Sequence, residues 1–100
     1  MAELQRITGV EWDAGNARKS ADKHAVSQAE AGQLFFRQPL WIAADTKHSQ
    51  QEERFHALGE TAGGRLLHVA FTLREQGTKI RIISARDMSR RERRLYEQAS

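Results

Sequence analysis

From residue 54 onward the apolar positions recur with a spacing of two. In RFHALGE (54–60), Phe55 and Ala57 fall on one side and Arg54 and His56 on the other. In RLLHVAFTLR (65–74), Leu67, Val69 and Phe71 oppose His68 and Thr72. In TKIRIISAR (78–86), Ile80, Ile82 and Ser84 share a side with Arg86, against Lys79, Arg81, Ile83 and Ala85. This alternation predicts strands with one buried face. Glu75-Gln76-Gly77 has the length and the glycine of a hairpin loop, and Thr61-Ala-Gly-Gly64 marks the preceding turn.

The first half follows other periods. Residues 5–11 read as a short strand ending at Trp12-Asp13. Asp13 is a good N-cap for a polar helix through about His24, weak by propensity because it holds Gly15, Asn16 and Ser20. Ser27-Gln-Ala-Glu30 is a capping box, in which hydroxyl and carboxylate each satisfy the other's orphan backbone N–H. The helix it starts buries Ala31, Leu34 and Phe35 and stops near Phe36, before Gln38-Pro39. LWIAAD (40–45) reads as a short buried strand, followed by a polar connection. Ser89-Arg-Arg-Glu92 is a second capping box, opening a helix to about Gln98. The order predicts one α+β domain over residues 1–100: an antiparallel sheet of four to five strands backed by helices, with a C-terminal helix.

Composition narrows the partners more than the fold. A net charge of +3 and a pI near 9.8 favour an anionic partner without naming it. Seven of the sixteen basic residues lie between Lys79 and Gln98, where only three acids offset them. There is no cysteine, which excludes disulfides and thiolate metal sites and suits a reducing compartment. The N-terminal residues lack the apolar core of a signal peptide, and no apolar run approaches the roughly 20 residues of a membrane span. A soluble, cytoplasmic protein is expected. The histidines (His24, His48, His56, His68) show no HxxxH or HExxH spacing, so neither metal nor cofactor is expected.

If helices cover the isoleucine face of the sheet, Arg81 points from its middle to the other face, near Arg54 and His56. For arginine and histidine on such a sheet, a merely solvated face is the plain reading. A basic patch is the sharper one, since an interior strand is a costly place for an idle charge.

Beyond these periods, the residues VEWD (10–13), KHAVS (23–27), DTKHSQQEERF with its following glycine (45–55, Gly59), RLLHVAFTLR, IRIISAR and RRERRLYE (90–97) form a pattern together. In that order and spacing the chain resembles the BrnT family of bacterial toxins, which belong to type II toxin–antitoxin systems and share the RelE-like ribonuclease fold. The resemblance implies a metal-independent endoribonuclease that cleaves messenger RNA and arrests growth. It implies neutralisation by a BrnA-like antitoxin with a ribbon-helix-helix domain, in a higher-order complex that represses its own operon through antitoxin contacts to operator DNA. Four positions depart from the family pattern: Asn16 for a lysine, Ser20 for an asparagine, Ala25 for a glycine and Gln28 for an aromatic. The changes at Asn16 and Ser20 support the alternative of a weak or inactive binding module that acts with its antitoxin in autoregulation.

Metal-free RNA cleavage needs a base for the 2′-hydroxyl, an acid for the 5′ leaving oxygen, and cations for the charge developing on the phosphorane. Arginine suits the last role, being permanently charged and matched to phosphate. Arg65, Arg81 and Arg86 are the candidate clamps, with Arg54 behind them. Glu53 or His48 is the candidate base, and His56 the other acid–base candidate. Lys23, Trp12, Arg90, Arg93 and Arg94 are candidates for RNA binding, Trp12 by stacking and the arginines by salt-dependent contact with the backbone. Each has a bland counterpart: Glu52-Glu53-Arg54 as a surface pair, Trp12 as core, His24 as a helix-end cap, His68 as a satisfied sheet residue, Glu92 as a cap only.

Overall fold

The computed structural model describes residues 7–12, 25–47 and 52–99. The elements are β1 (Gly9–Trp12), α1 (Gln28–Gln33) running into a 3-10 turn at Leu34–Phe36, β2 (Trp41–Ala44), β3 (Arg54–Glu60), β4 (Leu66–Arg74), β5 (Lys79–Asp87) and α2 (Arg90–Ala99). The strands form one five-stranded sheet in the order β1-β5-β4-β3-β2. The α+β expectation holds, and strands 54–60, 65–74 and 78–86 fall where the alternation put them. The expected helix from Asp13 to His24 lies outside the described residues, as do Lys23 and His48.

Three expectations are corrected. The sheet is mixed rather than antiparallel: β2 to β5 are antiparallel neighbours, whereas β1 pairs parallel with β5, Val10 opposite Ile80 and Trp12 opposite Ile82. Parallel and antiparallel strands share the period of two, so strand direction is not written in the alternation. Secondly, β5 carries a bulge. Phe71 faces Ile82 and Ala70 faces Ser84, so Ile83 is the extra residue on its strand. Beyond it the faces exchange: Ala85 joins Ile80 and Ile82 in the core, and Arg86 leaves the isoleucine side for that of Arg81. The strand 41–44 is also less buried than its apolar run suggests, being an edge strand of half-buried residues and one exposed alanine.

The main core lies between the sheet and α1. Phe71, fully buried, meets Phe35 edge-on at 5.0 Å and Phe55 stacked at 5.4 Å, with Leu34, Val69 and Ile82 around them. Each such aromatic pair adds about 0.5–1.5 kcal/mol beyond its area. Ser27 caps α1 as the sequence indicates, its hydroxyl accepting from Glu30 N at 3.1 Å and its own N–H donating to Glu30 Oε1 at 3.2 Å. Gly59 passes close to this helix; a Cβ there would sit 2.7 Å from Leu34 Cγ. Ala25 has φ 53°, the left-handed region that glycine occupies freely, so the glycine of the family pattern has a conformational reason.

A smaller cluster holds α2 to the opposite face, through Leu58, Met88 and Tyr96, with Trp41 and Leu66 against them. Tyr96 Oη donates to the Pro39 carbonyl at 2.8 Å. Tyr96 anchors α2, whereas its neighbour Leu95 is 39% exposed. Among the described residues α2 covers one end of the second face, and Thr72 at the other end is buried as well.

Candidate active site

The register of β2 to β5 assembles the second face row by row. Arg54 lies opposite Thr72, Thr72 opposite Arg81, and Arg81 beside Glu11. Next along, Ala43, His56, Ala70 and Ser84 share a row; then come Trp41, Leu58, His68 and Arg86. His56 and His68 are thus diagonal neighbours on adjacent strands, and the small Ala43 and Ala70 leave them room to meet. Their rings lie 4.8 Å apart, with His68 Nε2 and His56 Nδ1 in a 2.8 Å hydrogen bond. On its far side His56 Nε2 is 3.0 Å from Asp45 Oδ2. His68 Nδ1 is buried and has no partner.

Arg86 stands beside the pair because of the bulge. Its guanidinium makes a two-pronged bond to Glu92, Nη1 to Oε1 and Nη2 to Oε2, both at 2.8 Å. Glu92 also caps α2, accepting from Ser89 N at 2.8 Å, and its Oε2 lies 3.9 Å from His68 Nε2. It is therefore cap and counter-ion together. Burial opposes its ionisation, yet the bonds from Arg86 and from the Ser89 backbone win and hold the carboxyl down at about 2. Burial, then the Arg86 charge, push His68 down to about 4, so it is neutral at pH 7. His56, His68, Arg86 and Glu92 line the polar side of an open pocket of about 270 Å³; Trp41, Leu58 and Leu95 form its apolar side.

Of the residues singled out in the sequence, the structure brings together His56 and Arg86, with Arg81 and Arg54 on the same face, about 7 Å beyond the His56 row and about 13 Å beyond the Arg86 row at ~3.3 Å per residue. Arg90, Arg93 and Arg94 are exposed on α2, whose Glu92 and Leu95 border the pocket. Arg65 is elsewhere. On the α1 side of the sheet it donates from Nε and Nη2 to Asp87 at 2.7 and 3.2 Å, and from Nη1 to the Ala25 carbonyl at 2.7 Å and to Glu30 at 3.4 Å. These bonds tie the end of β5 to the start of α1. Trp12 is also on that side, packed against the core. Glu53 is exposed, and its carbonyl accepts from Thr72 Oγ1 at 2.7 Å, at the Arg54–Arg81 end of the face.

Sequence reasoning missed Asp45, the second role of Glu92, and His68 as a partner rather than a satisfied sheet histidine. Pairing the two hairpins by register would have found His68; the bulge leaves no comparable mark. Among the described residues, no group of three or more His, Asp or Glu side chains is arranged to hold a metal ion.

A family model described as the ribonuclease toxin, BrnT, of type II toxin-antitoxin systems matches residues 12–92. The chain belongs to the BrnT family. Among solved structures, the BrnT ribonuclease toxin of Brucella abortus superposes with a TM-score of 0.62, covering 82% of this chain and 97% of that one at 21% identity. At that identity the likeness establishes the fold. No curated protein matches the chain. As a member of a type II toxin–antitoxin family, the protein has an antitoxin partner. No helix among the described residues is long and apolar enough to cross a membrane.

Proposed function

We propose that this BrnT-family toxin is a metal-independent endoribonuclease that cleaves messenger RNA at the pocket where His56, His68 and Arg86 meet, and so arrests growth. The observation that carries the reading is the pair of hydrogen-bonded imidazoles beside a guanidinium in a pocket open to solvent. Imidazoles supply acid–base chemistry near neutral pH, and arginine supplies charge where the phosphorane forms. His56, with 35% of its side chain exposed, is the histidine a substrate reaches; neutral His68 backs it. Arg86 stabilises the phosphorane after exchanging part of its bond to Glu92 for phosphate oxygens. Arg54 and Arg81 hold the RNA strand further along the face, where Glu53 lies, and His48, outside the described residues, is the candidate for the second acid–base group at the scissile phosphate. Arg90, Arg93 and Arg94 add salt-dependent affinity for the backbone. The antitoxin is of the ribbon-helix-helix type, BrnA-like, and the complex represses its operon through antitoxin contacts to DNA.

The test is cleavage of a structured RNA by purified, antitoxin-free protein in EDTA, beside His56→Ala and Arg81→Ala of matched folding. Wild type is expected to leave 2′,3′-cyclic phosphate ends. His56→Ala should lose about 10²–10⁴-fold in rate, the usual worth of a positioned acid–base group. Cleavage that His56→Ala leaves intact would remove the pocket from the reaction. Absence of cleavage by wild type, with antitoxin binding intact, would point to a binding module.

A further inference from the structure

We propose that Asp45 is a positioning residue for this pocket: its carboxylate fixes which nitrogen of His56 carries the proton and, through His56, which nitrogen of His68 does. The assignment rests on the ribonuclease reading above and extends it to a residue that does not border the pocket.

Asp45 follows the last residue of β2, and its N–H donates to the Arg54 carbonyl at 2.7 Å, adding one rung to the β2–β3 ladder. That rung places the Asp45 side chain on the same face as Ala43, which lies opposite His56. Its carboxylate is only 10% exposed, and Oδ2 sits 3.0 Å from His56 Nε2. An ionised carboxylate oxygen only accepts, so His56 Nε2 carries hydrogen. In the neutral ring Nδ1 is then the acceptor, and the 2.8 Å bond to His68 requires hydrogen on His68 Nε2. His68 Nδ1 is left as a lone pair, consistent with its burial without a partner. One carboxylate thus sets two tautomers in series.

The experiment pairs a spectroscopic readout with kinetics. Long-range ¹H–¹⁵N correlation of the imidazoles in the whole chain at pH 7 is expected to show protonated Nε2 and bare Nδ1 on both His56 and His68. Asp45→Ala should convert His56 to a mixture of tautomers. The same variant should lower kcat for RNA on the order of 10²-fold with KM little changed, since removing an orienting carboxylate misplaces the proton rather than the substrate. Asp45→Asn, whose amide oxygen can accept the same bond, should recover part of both signals. An unchanged His56 tautomer in Asp45→Ala would overturn the assignment, and so would a changed tautomer with unchanged kcat. A wild type that shows the tautomer lock but cleaves no RNA would sink the ribonuclease reading and the catalytic half of this one, leaving the lock itself established.

Discussion

Replacing His68 with glutamine should flatten the dependence of stability on pH between about 6.5 and 4. The folded state holds His68 at about 4 because burial and Arg86 oppose its charge, against 6.5 when exposed. The unfolded chain therefore takes up the proton first as pH falls. The contribution is complete above 6.5, is lost through that window, and is exhausted below 4. At about 1.36 kcal/mol per unit, the loss amounts to roughly 3 kcal/mol, a large share of the 5–15 kcal/mol that holds a domain of this size together. Glu92 extends the loss to lower pH: its carboxyl is held at about 2 against 4.5, so its contribution is present above 4.5 and disappears as pH falls to 2. Urea denaturation at half-unit steps from about pH 7.5 to about pH 2 would read both, with a constant m-value as the check that unfolding stays two-state. Wild type should lose stability more steeply than His68→Gln, the two curves converging by roughly 1 kcal/mol per pH unit near pH 5. Parallel curves across the window would refute the reasoning. They would mean that the ring is solvated in the folded protein or that the unfolded chain keeps it as buried as the folded one does.

Three further outcomes follow from the packing. Ala25→Gly should stabilise the fold by about 0.5–1 kcal/mol, read as a higher denaturation midpoint, because φ 53° strains an alanine and not a glycine. Gly59→Ala should cost about 1–3 kcal/mol by thermal melting, since the new methyl would lie 2.7 Å from Leu34 Cγ; Leu34→Val in the same chain should return part of the loss. In the β4–β5 turn Glu75 and Gln76 both have positive φ, 51° and 58°, so Gln76→Gly should raise the melting temperature by a few degrees, about 1 kcal/mol for a domain of this size.

The capping boxes at Ser27 and Ser89, the three long strands and the hairpin at Glu75 were legible because their signals are local: a side chain satisfying a nearby amide, a period of two, a glycine in a tight turn. The main core, around Phe35, Phe55 and Phe71, followed from the same periods. The site was legible only in part. His56, Arg81 and Arg86 stood out as charge or titratable groups among apolar strands, but no local feature tells which of them meet. Arg65 looked equivalent to Arg86 in the sequence, yet one ties Asp87 to the Ala25 carbonyl on the α1 side and the other borders the histidines.

What the sequence determined by itself is therefore the described elements and, short of the bulge in β5, the side each long strand buries. Register, strand direction and the bulge at Ile83 belong to the tertiary structure, because they are settled by hydrogen bonds between separate strands, 70 residues apart for β1 and β5 and across a hairpin for the bulge. One inserted residue turned Arg86 across the sheet, and one further rung of ladder brought Asp45 to His56. Both are choices of pairing between strands, and a period of two reads the same whichever way they fall.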